Sequence, residues 1–242
     1  MNPPSVASPP ASPEVFTFEV PAGPTPVRAA LALVRALPAG AAVTAAAGAW
    51  LVGAEHERFG RFLVDHARAE FLAGRMAAKA ALAALDPAFT PATCEIVPGL
   101  WRQPTLRPDS RGRAVTLAHG GGLGLALAFD DRWLCGIDVE LATRTGREII
   151  MPLVTTCERD WADAAPDARA SRLRWALLWT AREALGKMLR TGIARPGLLL
   201  PLADVDEGAA GWSARFDGAD DVAVHATCAG DHVVSIVVPA TD

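Results

Sequence analysis

The sequence predicts an α+β fold. Two long stretches, residues 55–85 and 169–190, keep helical spacing of their apolar positions. Short runs rich in β-formers surround them, and three such runs near the C-terminal end, 212–216, 222–228 and 233–238, are spaced as a meander. With 242 residues the chain can build one large domain or two lobes, each with a real core.

Composition narrows the function classes. The chain is 51% hydrophobic and 21% charged, with a net charge of −4, which argues against disorder and against general nucleic-acid binding. Cys94, Cys135, Cys157 and Cys228 are scattered without a CxxC pair or a disulfide-like framework, which fits a reducing, cytoplasmic setting. Residues 1–14 are rich in proline and serine, lack the basic and apolar regions of a secretory signal, and are expected to form a disordered tail. The most apolar run, 29–53, is mostly alanine and is interrupted by Arg35 and Pro38, so no membrane span is expected.

Taken in order, residues 15–20 alternate as a strand. Residues 28–37 are a short helix candidate stopped by Pro38. Residues 41–51 are ambiguous, and β-branched Val43 and Thr44 tip the expectation to a strand. Residues 55–85 form a helix, in one or two pieces. There Arg61, Arg68 and Arg75 recur every seven residues and Arg58 precedes Arg61 by three, so one continuous helix would carry them as a single basic stripe. Such a stripe is either a solvated face or a rail for phosphates, which guanidinium groups bind bidentately.

Residues 94–97 are a short strand, followed by Trp101-Arg102-Gln103-Pro104 and a polar loop. A strand at 114–117 leads into Ala118-His119-Gly120-Gly121-Gly122, where glycines allow a backbone to approach a ligand closely. Residues 123–129 and 133–139 are strands about an Asp130-Asp131 turn and are expected to form a hairpin. Thr155-Thr156-Cys157-Glu158 has capping-box spacing, and a strand is expected at 198–205.

The chemistry concentrates in two places. Asp138 and Glu140 alternate on one strand and so project to the same side. Two carboxylates with no adjacent base are stable if solvated or if a cation sits between them. On the long helix Glu183 and Lys187 are i,i+4 neighbours, with Trp179 one turn earlier. By themselves these three make a surface ion pair beside a core tryptophan.

Together, Gly136-Ile137-Asp138-Val139-Glu140 and, downstream, Trp179-Thr180-Ala181-Arg182-Glu183-Ala184-Leu185-Gly186-Lys187 resemble the paired signature of the 4′-phosphopantetheinyl transferase superfamily. The chain looks most like the monomeric, two-lobed type that activates siderophore, surfactin and other lipopeptide synthetases. Phe71-Leu72-Ala73-Gly74-Arg75 resembles the N-lobe helix of the enterobactin-synthetase branch, and Arg102-Gln103-Pro104 resembles that branch's turn contacting coenzyme A. His119 matches the family histidine, while Ala118 stands in place of the usual serine and Arg182 in place of the usual lysine.

The resemblance implies a pseudo-dimer of two similar α+β lobes with the active site between them. Residues 15–130 would form the coenzyme A lobe and residues 131–242 the Mg²⁺ lobe with the catalytic helix. The implied reaction moves the 4′-phosphopantetheine arm of coenzyme A onto a serine of an acyl or peptidyl carrier protein and releases adenosine 3′,5′-bisphosphate. Asp138, Glu140 and Glu183 would hold Mg²⁺, or Mn²⁺ in its place. Glu183, Lys187 and Asp138 would be catalytic. Arg58, Arg61, Arg75, Arg102, Gln103, His119 and Lys187 would hold coenzyme A. The protein would be a cytoplasmic monomer serving polyketide, nonribosomal-peptide or siderophore biosynthesis, with a carrier protein as its partner and neither nucleic acid nor membrane. Arg144, Arg147 and 151–153 are the candidate docking segment. Two other readings use the same residues: a non-catalytic coenzyme A-binding module, and a Mg²⁺-dependent pyrophosphate hydrolase.

Overall fold

The computed structural model describes residues 12–20, 27–145, 147–192 and 200–240. The expected tail at 1–14 therefore lies, up to residue 11, outside the described residues, as do the first two residues of the strand expected at 198–205. Among the described residues the chain builds three antiparallel sheets and six α-helices, an α+β fold as expected.

The chain opens with β1 (Glu14–Val20) and β2 (Val27–Arg35), which pair antiparallel. The short helix expected at 28–37 is this second strand. Ala29, Ala30, Ala32 and Val34 are all buried, so both faces of β2 are covered. A strand buried on both sides loses its alternation and resembles a helix in sequence. The opposite correction applies to 41–51, which is helix α1 (Ala41–Trp50), with Val43 and Ala47 buried one turn apart. Alanine propensity prevails there over one β-branched pair.

The next helical stretch comes in two pieces, α2 (Ala54–Gly60) and α3 (Asp65–Leu85). The break at 61–64 ends the seven-residue register, so the four arginines do not form one stripe. Arg61 pairs with Glu57 at 3.6 Å and stays 79% exposed, while Arg68 turns to Phe62 O at 2.8 Å and to Asp65.

A two-stranded sheet follows, β3 (Glu95–Pro98) with β4 (Pro104–Arg107). Then β5 (Arg113–Gly120) and β6 (Leu123–Asp130) form a hairpin whose two-residue turn is Gly121-Gly122, both with positive φ (59° and 82°). The twist of paired strands favours such a turn, and only glycine adopts it freely at both positions. The first sheet has the order β1-β2-β6-β5, and α3 packs on it.

β7 (Gly136–Leu141) does not pair with β6, contrary to the expected hairpin. Both edges of β6 are already occupied by β2 and β5. β7 instead pairs with β11 (His232–Pro239) at the edge of the five-stranded sheet β7-β11-β10-β9-β8. Between them come α4 (Arg147–Ile150), a 3₁₀ turn at Met151–Leu153, α5 (Thr156–Asp163), α6 (Ala168–Met188), β8 (Leu202–Gly208), β9 (Gly211–Phe216) and β10 (Ala219–Ala229). The expected capping box starts α5 and the expected long helix is α6. The strands β8 to β11 form a meander.

Each large sheet has a core under its own 21-residue helix. A third core joins the sheets, with Ala118, Leu125 and Phe129 on one side and Ile137, Val139 and Val234 on the other. Among the described residues no helix is long and apolar enough to cross a membrane.

Candidate active site

β7 lies against α6 so closely that a Cβ on Gly136 would overlap the carbonyl oxygen of Ala184. Only glycine permits that approach. It brings Asp138, two residues along the strand, to Lys187 on the last turn of the helix. Lys187 Nζ donates to Asp138 Oδ1 at 2.7 Å and to Ile137 O at 3.1 Å. An ammonium has three donors, so one remains for a ligand. Thr180, next to Trp179, fixes the helix to β11 through the Ser235 hydroxyl at 2.6 Å.

Asp138, Glu140 and Glu183 surround this lysine electrostatically. Burial, then the charge of Asp138, pushes Glu140 up to about 7, against a hydrogen bond from the Trp179 side chain. Burial and Asp138 likewise raise Glu183. Asp138 itself is raised by burial, against the pull of Lys187. Three acids against one lysine leave an excess of negative charge. Asp138 Oδ2 is buried without a hydrogen-bond partner. An unpaired buried carboxylate oxygen beside two more carboxylates suits a hard cation. Among the described residues no three metal-ligating side chains converge into a ready cage. Mg²⁺ does not require one, since it binds through one or two carboxylates, water and substrate phosphates. On these observations the residues fit the ion.

On the other side of Lys187 lies a cleft of about 300 Å³. Among the described residues its walls carry Arg58, Arg75, Arg102, Lys187 and Arg190, together with His119, and no carboxylate. Arg75 is buried and its guanidinium stacks over the Phe71 ring at 4.7 Å. Its Nε is 3.3 Å from Glu55 Oε1, and Glu55 is held in turn by Lys79 Nζ at 2.7 Å and by Val52 N at 3.2 Å. Burial lowers Arg75 to about 10, which leaves it cationic at neutral pH. Arg58 lies 5.6 Å from the same ring.

His119 Nδ1 is 3.9 Å from Glu70, whose other oxygen accepts from Gly122 N at 2.9 Å. Burial lowers the His119 pKa, Glu70 opposes it, and Lys187, Arg75 and Arg58 reinforce it. The imidazole is therefore held toward its neutral form, and an anion entering the cleft would favour its protonation. The Gln103 side chain lines the cleft while its Oε1 accepts from Trp101 N at 2.9 Å, which holds the β3–β4 loop.

Most sequence-identified residues thus fall in two adjoining sites: acids on one flank of Lys187, cations on the other. Arg61 is not in the cleft; it lines a neighbouring groove with Arg58 and Arg102. Arg182 points away from both sites and makes a buried ion pair with Glu158, which also accepts from Leu202 N at 2.8 Å. Sequence reasoning missed Glu55, Glu70 and Arg190. The spacing of Arg190, three residues after Lys187, was the one signal that could have found the last.

A cation-lined cleft sharing its lysine with an acid cluster has the chemistry to take up a phosphorylated ligand. Residues 134–237 match the family model described as the 4′-phosphopantetheinyl transferase superfamily. This part of the chain, which takes in β7, α6 and the C-terminal meander, matches that superfamily, and the match indicates a transferase of the phosphopantetheinyl kind. No curated protein matches the chain.

Proposed function

We propose that this protein transfers the 4′-phosphopantetheine arm of coenzyme A to a serine hydroxyl of an acyl or peptidyl carrier protein, with adenosine 3′,5′-bisphosphate as the second product. The observation that supports this most is Lys187, which pairs with Asp138 at 2.7 Å and also lines the cationic cleft. One side chain thereby joins the acidic cluster to the place where a phosphorylated nucleotide fits.

In this reading Arg58, Arg75, Arg102 and His119 bind the phosphates of coenzyme A. The free donor of Lys187 meets the pyrophosphate, where charge accumulates during transfer. Asp138, Glu140 and Glu183 hold Mg²⁺ or Mn²⁺, which when bound neutralises the pyrophosphate. Glu183, with its raised pKa, takes the serine proton. The new bond joins the serine oxygen to the pantetheine phosphate. The bond broken is that between this phosphorus and the oxygen bridging it to the adenosine phosphate, which leaves with the electron pair.

We assign the chain to the monomeric, two-lobed type, with residues 15–130 as the coenzyme A lobe and 131–242 as the Mg²⁺ lobe. The support is the recurrence of a 21-residue helix on an antiparallel sheet in each half. The carrier docks beside Arg144, Ile149 and Met151, all exposed just after β7. Arg147 contributes less there, since it pairs with Asp163 at 2.6 Å and stacks on Trp175.

The test is the intact mass of a purified apo carrier protein incubated with this protein, coenzyme A and Mg²⁺. A gain of one phosphopantetheine that Asp138→Ala abolishes is the expected result. No gain with coenzyme A still bound points to a binding module; no gain with coenzyme A broken down points to a hydrolase.

A further inference from the structure

Of the five Lys and Arg residues that line the cleft among the described residues, two sit on strained backbone. Among the described residues, four that are not glycine have positive φ, and two of them, Arg102 (65°) and Arg190 (58°), line this cleft. Strain of this kind persists where the surrounding structure holds it, and it clusters at functional sites.

Arg190 is the clearer case, because its position has a well-defined alternative. Leu189 caps α6 in helical conformation. Arg190 N then donates to Lys187 O at 3.1 Å and Thr191 N to Gly186 O at 2.9 Å. Those paired bonds define a Schellman cap, and its left-handed residue is ordinarily glycine or asparagine, because a Cβ crowds the backbone there. Among the described residues nothing in the cap uses a guanidinium. Glycine would close the same two hydrogen bonds without strain, but it would remove one cation from the wall that also carries Lys187.

We infer that Arg190 is an anion-binding residue of the cleft, held in the left-handed conformation so that its guanidinium meets a phosphate of coenzyme A. This rests on the proposed function for the identity of the ligand, but not for the presence of an anion site. Arg190 and Lys187 then approach the bound phosphates from one helix end.

The experiment compares wild type, Arg190→Gly and Arg190→Lys without divalent cation. Calorimetric titration with coenzyme A and, separately, with inorganic pyrophosphate is set beside the melting temperature of the unliganded protein. Arg190→Gly should melt about 2–4 °C higher as the strain is relieved. It should bind coenzyme A about tenfold more weakly, and the difference should shrink at high salt. Arg190→Lys should keep the wild-type melting temperature and recover part of the affinity. If Arg190→Gly binds coenzyme A and pyrophosphate as wild type does, the inference fails whatever its melting temperature. If wild type binds pyrophosphate but not coenzyme A, the coenzyme A reading fails, and the Arg190-dependence of pyrophosphate binding decides the inference alone. If wild type binds neither, both fail.

Discussion

Helices α3 and α6 carry the same arrangement, and each uses it differently. Each has an aromatic ring, a charged residue and a lysine at four-residue intervals: Phe71, Arg75 and Lys79 on α3; Trp179, Glu183 and Lys187 on α6. Lys79 is 1% exposed and donates to Trp50 O, Glu55 and Pro91 O, so its three donors are all engaged. The Lys187 side chain is 28% exposed and engages two acceptors. The pattern alone therefore does not identify a site. The deciding quantity is how many donors the fold leaves unspent. On α3 the lysine fixes Glu55, Glu55 fixes Arg75, and Arg75 lines the cleft; on α6 the lysine lines the cleft itself.

Exchanging the two lysines' fates would break this comparison most sharply. Lys79→Met leaves Glu55 buried without its main partner and should cost about 3–5 kcal/mol of stability, read from the urea midpoint. Lys187→Met should cost no more than about 1–2 kcal/mol yet lower product formation at least about a hundredfold. If Lys79→Met keeps its stability, or Lys187→Met its activity, the division of labour is wrong.

The acid cluster makes the next prediction. A carboxyl whose folded-state pKa lies above its unfolded value binds more protons when folded, so stability falls as pH rises through that interval. For Glu140 the interval runs from 4.5 to about 7. The melting temperature should therefore fall between pH 5 and pH 8 without metal, Glu140→Gln should flatten that slope, and Mg²⁺ should raise the melting temperature more at pH 8 than at pH 5.

Smaller effects sharpen the cationic side. His119→Ala should weaken coenzyme A binding about tenfold, equivalent to about 1.4 kcal/mol, with turnover of the bound complex little changed. Arg61→Ala should alter binding less than about twofold, because its one ion pair is solvent-exposed. A large Arg61 effect would restore the continuous arginine stripe.

Strand alternation at Asp138 and Glu140 and the helical spacing of Glu183 and Lys187 are local signals, and local signals survive folding. The assignment at 28–37 failed because burial of both faces of β2 hid the strand's alternation, and that at 41–51 because helix-forming alanines outweigh one β-branched pair. The hairpin at 123–139 failed because pairing depends on which strand edge is free, and both edges of β6 are taken by partners, one of them nearly a hundred residues upstream. The arginine stripe failed on a four-residue break between α2 and α3. Glu55 was invisible because an acid that serves a distant arginine leaves no periodicity.

The core shared by the two sheets has a consequence for how the molecule melts. Ala118, Leu125 and Phe129 are covered by Ile137, Val139 and Val234, so unfolding either half exposes apolar surface on the other. The interface is continuous with the framework of the active site, because Ile137 and Val139 flank Asp138 on β7. Heating should therefore produce one calorimetric transition rather than two, with coenzyme A affinity disappearing in the same interval as the far-ultraviolet signal.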